Sequence, residues 1–247
     1  MRGVDDVRSD DTSGYKEAVP GFLLLDVTLS LVPPIPPKYP LKVLRGWNHS
    51  VTAALLTSIE LSENDTTYAD IKAGRIRVTA DQWPRFVYPD GHVYNPEDEE
   101  AGLLRGHLMS AKHLFTGPSS ALQGPGWTKG RSSNAKIIGM KKITPRAVAY
   151  VAVQVRFAIS DVQDWTDTDR DFDYKKFFWN IVEIFKDGEG AEILAFFDEQ
   201  LFGTQAAQPL PENLRRAPSA TDRLKNQCAA KRARAAEAAL EQTATTQ

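Results

Sequence analysis

The chain has 247 residues, of which 42% are hydrophobic and 25% are charged, and its formal net charge at pH 7 is −2. A chain of this size can bury enough surface to fold without a disulfide or a structural metal, and its single cysteine, Cys228, excludes an intrachain disulfide. The longest apolar run, residues 22–32, is too short for a membrane span of about 20 residues, and the acidic start predicts no secretory signal. We therefore expect an intracellular protein, cytoplasmic or nuclear, with no membrane partner.

The first forty residues predict a flexible start followed by extended chain. Residues 1–14 are polar and acidic, which predicts a flexible N-terminus. Five prolines within residues 33–40 exclude a helix or a central strand, because proline lacks the backbone donor that both structures need. This proline segment is either a stiff connector on the domain surface or a ligand for an SH3- or WW-type groove.

Short elements are predicted over the next fifty residues. Apolar spacing predicts a helix over residues 50–61, with Asn48 or Ser50 as its cap. A second short helix is predicted over residues 67–73, and the alternation in residues 75–78 predicts a brief strand. The sequence then predicts an aromatic anchor and a turn, and these occupy residues 83–88 and 89–91.

Four longer helices are predicted after residue 100. The first follows an acidic cluster and covers residues 101–115, because carboxylates favour a helix N-terminus. Residues 145–159 fit both strand and helix spacing; we predict a helix, because Thr144 and Pro145 form a helix start and the stretch is long and alanine-containing. Aromatic and aliphatic side chains at helical spacing predict further helices over residues 172–185 and 190–202.

These elements predict a mainly α fold, with one irregular helical domain over residues 15–203 and short extended segments. Residues 204–247 are polar and rich in alanine, and they have little apolar surface to bury. We therefore predict a disordered, basic C-terminal tail. Its basic cluster, residues 231–234, is either a solvated tail or a nuclear-localisation or nucleic-acid patch.

Charge is strongly segregated along the chain. Residues 101–160 contain nine Lys and Arg and no acid, whereas residues 161–199 contain twelve acids and four bases. Two interpretations follow. The basic stretch either contacts phosphate, with Trp127 available for stacking, or it packs on the acidic stretch and the two neutralise each other.

The sequence predicts no catalytic residue, no cofactor and no metal ligand. A glycine-rich stretch, residues 124–130, lacks the spacing of a phosphate-binding loop, which favours an exposed loop; the alternative is a loop whose amides hold an anion together with Arg131 and Lys136. Alternating aspartates from Asp167 to Asp173 lack the glycine and glutamate of a calcium loop, which favours helix capping or a solvated turn. The candidate anion or nucleic-acid contacts are Lys129, Arg131, Lys136, Lys141, Lys142 and Arg146.

Several segments of the chain resemble a family of uncharacterised proteins from mushroom-forming fungi. The resemblance spans residues 8–203 and lies in the runs RSDDT (8–12), WPRFVY (83–88), GLLRGH (102–107), FTGPSSAL (115–122), RSSNA (131–135), ITPRAVAYVA (143–152) and RFA (156–158), and in residues 177–202. The family has no assigned activity, cofactor or catalytic residue. The resemblance therefore implies a eukaryotic intracellular setting and one domain ending near Gly203, and it implies no function.

Three functional hypotheses follow from these observations. The first is a non-enzymatic binding or scaffold protein with a protein partner, indicated by the aromatic helices. The second is a nucleic-acid-associated protein that uses the acid-free stretch 101–160. The third is an enzyme with an unrecognised site around His107, His113 and Arg131.

Overall fold

A computed structural model of the chain describes residue 12 and residues 14–26, 28–36, 42–110, 140, 142–186 and 190–202. Most of the predicted flexible N-terminus, the glycine-rich stretch 124–130 and the predicted tail 204–247 lie outside these residues. The described residues all belong to one compact unit. The end of the predicted domain falls where the description stops, so the predicted boundary at residue 203 stays a prediction.

The described part of the chain is mainly α-helical, as the sequence predicts. Its α-helices include α1 (Ser50–Leu56), α2 (Asp65–Lys72), α3 (Pro145–Ile159), α4 (Tyr174–Glu183) and α5 (Ala191–Phe202), and residues 14–18 are also helical. Short 3-10 turns lie at Val19–Phe22, Gly46–Asn48, Arg85–Val87 and His107–Ser110. Between α3 and α4, strands β1 (Thr168–Asp169) and β2 (Phe172–Asp173) form a small antiparallel hairpin in which Asp169 pairs with Phe172.

Helix α3 forms the centre of the core. Thr144 caps it by accepting a hydrogen bond from the Ala147 amide, and Pro145 occupies its first turn, as predicted. Val148, Val151 and nearly every later residue of α3 are buried, so this helix is enclosed on all sides. That explains the ambiguous pattern, since a helix that is buried all round has no polar face to reveal its period.

Helix α4 covers α3 with an aromatic cluster. The ring centroid of Phe177 lies 5.0 Å from that of Phe172, 6.4 Å from that of Phe86 and 6.2 Å from that of Trp83. The sequence predicts a helix from residue 172, but Phe172 and Asp173 belong to β2. The Asp173 side chain accepts a hydrogen bond from the Lys176 amide, which starts the helix at Tyr174 instead.

Helix α1 differs from its prediction at both ends. Its cap is His49, whose Nδ1 accepts a hydrogen bond from the Val51 amide, whereas Asn48 and Ser50 were the predicted caps. The helix ends at Leu56, because Thr57 turns into extended backbone. The Thr57 carbonyl then accepts a hydrogen bond from the Arg85 amide at 2.9 Å, so pairing with the aromatic anchor replaces the last predicted turn.

The predicted helix over residues 101–115 is wrong in its first turns. Gly102 and Leu104 have φ angles of +76° and +60°, which no α-helix contains. Gly106 lies so close to the aromatic anchor that a Cβ atom there would stand 2.0 Å from the Phe86 carbonyl oxygen. The Gly106 amide donates instead to the Val87 carbonyl at 3.1 Å, so this segment packs as irregular chain. Residues 111–115 lie outside the described part.

The predicted strand over residues 75–78 is also wrong. The backbone amides of Arg75 and Ile76 both donate to the Asp70 carbonyl, at 2.8 and 3.3 Å. The Arg75 side chain returns to the Asp70 carboxylate at 2.5 Å. These bonds hold the segment against the end of α2 as a turn, and Gly74, with a φ of +74°, permits the reversal.

Two buried basic side chains close the C-terminal end of α3. The Lys42 amine donates to the Phe157 carbonyl, and Nη1 of Arg45 donates to the Ala158 carbonyl at 2.8 Å. These carbonyls have no partner inside the helix, and the negative end of the helix dipole favours cations here. Both side chains are fully buried. Burial, followed by the positive charge of Arg45, lowers the pKa of Lys42 to about 6.

Candidate functional site

An exposed tryptophan and an arginine meet on the outer side of helices α3 and α4. Trp179 of α4 exposes 47% of its surface, and the guanidinium carbon of Arg146 lies 5.7 Å from its ring centroid. We call Arg146, Lys175 and Trp179 the Trp179 surface. Tyr174, Phe177 and Ile181 line the opposite, buried side of α4. The Trp179 ring is therefore exposed to solvent on the face of α4 that usually carries polar side chains.

The electrostatic surroundings of Trp179 are positive. Lys175 precedes it by one helical turn and is exposed, and Arg146 of α3 is also exposed. The acid one turn later, Glu183, pairs with Lys186. A tryptophan within cation–π distance of an arginine combines two of the three residue types, Trp, Tyr and Arg, that are most enriched among interface hot spots.

The structure describes two of the six predicted anion contacts. Lys142 and Arg146 are both exposed, and Arg146 contacts Trp179. Lys129, Arg131, Lys136 and Lys141 lie outside the described residues. The prediction of an anion or nucleic-acid contact therefore stays a prediction for the set as a whole.

Other residues of the acid-free stretch pair with the acidic stretch. Arg156 and Asp169 form a buried ion pair at 3.1 Å, with each side chain only 2% exposed. Arg105 and Glu192 approach at 3.6 Å on the surface. Where it is described, the stretch thus divides into cations used inside the fold and cations left at the surface.

His107 ties three parts of the fold together. Its Nδ1 lies 2.8 Å from the Asp90 carboxylate, and its Nε2 lies 3.0 Å from the Phe22 carbonyl oxygen. It lines a cavity of about 320 Å³ together with Arg85 and His92. Because protein oxygens occupy both ring nitrogens, neither nitrogen is open to act as a general base on a bound molecule. His113 and Arg131, the other members of the predicted enzyme site, lie outside the described part.

The alternating aspartates serve the local fold. Asp169 pairs with Arg156, Asp171 pairs with Arg77 at 2.5 Å, and Asp173 caps α4. These contacts agree with helix capping and not with carboxylates converging on a cation. In the part of the chain that the structure describes, no group of three or more His, Cys, Asp or Glu side chains is arranged to hold a metal. Nor do the described helices include one long and apolar enough to cross a bilayer.

Sequence reasoning missed Trp179 and Arg156. The helical spacing in residues 172–185 assigns Tyr174, Phe177 and Ile181 to one face, and Trp179 lies off that face. An aromatic residue on the polar side of an amphipathic helix is the signal that could have identified it. Arg156 gives no such signal, because its burial depends on a hairpin that follows it in the chain.

The comparisons place the chain in a family but attach no activity to it. The sequence model of a family of unknown function (DUF6698) matches residues 2–202. The chain belongs to this family. No curated protein and no solved structure matches the chain.

Proposed function

We propose that this member of DUF6698 is a non-enzymatic binding or scaffold protein that acts inside a fungal cell by contacting another protein. The observation that carries the proposal is the Arg146 guanidinium over the half-exposed Trp179 ring. A tryptophan is large, rigid and amphipathic, so it loses little conformational entropy when a partner covers it.

The positive charge beside Trp179 indicates what kind of protein would bind. Arg146 and Lys175 leave the surface cationic, because Glu183 is paired with Lys186. A partner segment with an apolar side chain flanked by Asp or Glu would complement it. The apolar group would cover the indole, and the acids would meet the two cations.

Nucleic acid is the second candidate partner. Lys142 and Arg146 are exposed cations of the acid-free stretch, and Trp179 offers a ring on which a base can stack. Affinity would then come mainly from phosphate contacts, so it would fall steeply as salt concentration rises.

Photo-cross-linking from position 179 tests the first candidate. A photoreactive phenylalanine analogue replaces Trp179 in one sample and Val93, which is 83% exposed, in the matched control. Both samples are irradiated in extracts of the source cells. We expect one defined protein adduct at position 179 that resists nuclease, is absent at position 93 and is lost when Arg146→Glu is added.

Fluorescence anisotropy separates the two candidates. Labelled single- and double-stranded DNA and RNA are titrated with the wild-type chain across a salt series. Binding whose logarithm falls linearly with log salt, together with loss of binding in Trp179→Ala, would favour the nucleic-acid function. No adduct at position 179 and no nucleic-acid binding would reject the Trp179 surface as a binding site.

A further inference from the structure

A cavity of about 290 Å³ lies beside the tip of the β1–β2 hairpin. Trp47, Ile71 and Val78 give it apolar walls, and Lys72 and Arg170 bring charge to it. The cavity has the volume of about ten water molecules, at roughly 30 Å³ each. That size suits a small molecule better than a segment of another protein. We call it the hairpin cavity.

The charges in and around the hairpin cavity do not cancel. The two carboxylates that line it are paired already, Asp169 with Arg156 at 3.1 Å and Asp171 with Arg77 at 2.5 Å. Arg170 approaches a further carboxylate, Asp161, at 3.8 Å. Against these three carboxylates stand four cations, which leaves one positive charge in excess: Lys72, Arg77, Arg156 and Arg170.

One buried donor on the cavity wall lacks an acceptor. Arg156 is 2% exposed, and its guanidinium carbon lies 3.6 Å from the ring centroid of Phe172. Its Nη1 donates to Asp169, but its buried Nε has no hydrogen-bond partner among the described residues. Buried donors are nearly always satisfied, so this one needs an acceptor that the described residues do not supply, such as a water molecule.

Arg170 occupies a position at the hairpin tip that normally favours glycine or asparagine. Its φ angle is +56°, in the left-handed region that side chains other than Asn and Asp rarely adopt. Its Nη1 donates to the carbonyls of Ile71 and Lys72, at 3.3 and 3.2 Å. These bonds fix the guanidinium between the hairpin and the end of α2, on the wall of the cavity. Such unfavoured backbone is often found where a side chain has a function.

We propose that the hairpin cavity binds a small organic anion, with a carboxylate or phosphate group on a flat apolar body. The anionic group meets Arg170 and Lys72, while the flat body lies against Trp47. This site is independent of the Trp179 surface, so either can exist without the other.

Binding of simple probes tests the proposal. Phenyl phosphate and benzoate carry the two candidate anionic groups on the same ring, benzyl alcohol carries the ring without a charge, and inorganic phosphate carries the charge without a ring. Calorimetry measures each affinity, and the indole N–H signal of Trp47 in a proton–nitrogen NMR spectrum reports the location. We expect at least one ring-bearing anion to bind with a Kd at or below about 1 mM and to shift that signal.

Variants connect the binding to the cavity. Arg170→Gly removes the cation and relieves the unfavoured φ, so the chain should stay folded while affinity falls at least about tenfold. If Arg170→Gly fails to fold, Lys72→Gln serves as the second variant, because Lys72 is exposed and lines the cavity. Its affinity should also fall. Arg75→Gln is the matched control, because Arg75 is exposed, pairs with Asp70 and is not among the residues that line the cavity. Its affinity should change less than about twofold.

Three results would overturn the proposal. The first is no shift of the Trp47 signal by any anion at about 10 mM, a concentration well above the expected Kd. The second is equal binding of benzyl alcohol, which would make the cavity a merely apolar pocket. The third is an equal loss of affinity in Arg75→Gln, which would reduce the effect to overall charge.

Discussion

The two ends of helix α3 use the same kind of residue in opposite ways. At the N-terminal end, Arg146 is exposed and lies over Trp179. At the C-terminal end, Arg156 is buried with Asp169, beside the buried basic side chains Lys42 and Arg45. Both arginines belong to one acid-free stretch, and ten positions separate them. A count of charges along the sequence therefore says nothing about which of them face a partner.

The buried end explains how this fold accommodates three basic side chains in its interior, namely Lys42, Arg45 and Arg156. Helix-end carbonyls accept from Lys42 and Arg45, and Asp169 neutralises Arg156. Burial also lowers the pKa of Arg45 to about 10. Cations in the interior are thus held by partners that only the folded chain supplies, whereas Arg146 keeps its solvent shell.

Breaking the buried pair should have the largest effect. Arg156→Met leaves the Asp169 carboxylate buried without its partner, which should cost about 3–5 kcal/mol of unfolding free energy. Asp169→Asn should also be costly, because it leaves the arginine unneutralised. Urea unfolding gives the free energy of unfolding of the wild type, both single variants and the double variant. These four values give the coupling free energy between Arg156 and Asp169.

The double-variant cycle decides what the pair contributes. We expect the double variant to lose less than the sum of the single losses, with a coupling of about 0.5–3 kcal/mol. Additive losses would mean that Arg156 and Asp169 do not interact, and the buried end would then lose its main difference from the exposed end.

The pH dependence of stability should show the buried amine of Lys42. Its folded-state pKa, about 6, lies below its ordinary value of 10.5, so the unfolded chain binds more protons between these two pH values. Stability therefore rises with pH across this window, by up to about 1.4 kcal/mol per pH unit from this group. Lys42→Met removes the contribution, and urea unfolding of both chains at several pH values from about 7 to 9 measures the difference.

The direction in which that difference changes with pH decides the test. The free energy of unfolding of Lys42→Met minus that of the wild type should be highest near neutral pH. This difference should fall as the pH rises. A difference that stays constant with pH would mean that Lys42 keeps its proton in the folded chain. The buried end would then hold a third full charge.

The smallest effect is expected at the exposed end. Arg146→Ala should lower the unfolding free energy by less than about 1 kcal/mol, because its contact with Trp179 is an exposed cation–π contact. The same variant should weaken capture of the partner at Trp179. A loss above about 1 kcal/mol in urea unfolding would show that Arg146 supports the fold, and the comparison between the two ends would fail.

Local signals in the sequence predict the helices that are capped by their own neighbours. Thr144 and Pro145 mark the start of α3, and the aromatic spacing marks α4 and α5. The predictions fail where distant backbone decides the structure. Gly106 packs on Phe86, and Thr57 pairs with Arg85, at separations that no local pattern can encode.

The candidate binding residues also divide into those that the local sequence identifies and those that only the folded chain brings together. The acid-free stretch identifies Arg146 as a cation without local neutralisation, and the structure leaves it exposed. It also contains Arg156, which an aspartate thirteen positions later neutralises. Arg170 and Trp47 become neighbours of one cavity only when the hairpin, the end of α2 and the turn before α1 come together.

His49 has a consequence for how this chain can vary. Its Nδ1 accepts from the Val51 amide at 3.2 Å, so the ring proton must sit on Nε2, which donates to the Pro33 carbonyl at 2.8 Å. One imidazole thus starts α1 and also anchors the proline segment. A serine or aspartate there could still start the helix but would release the prolines. A substitution of His49 that removes both ring contacts should therefore disturb both segments at once, although Pro33 lies 16 residues before His49.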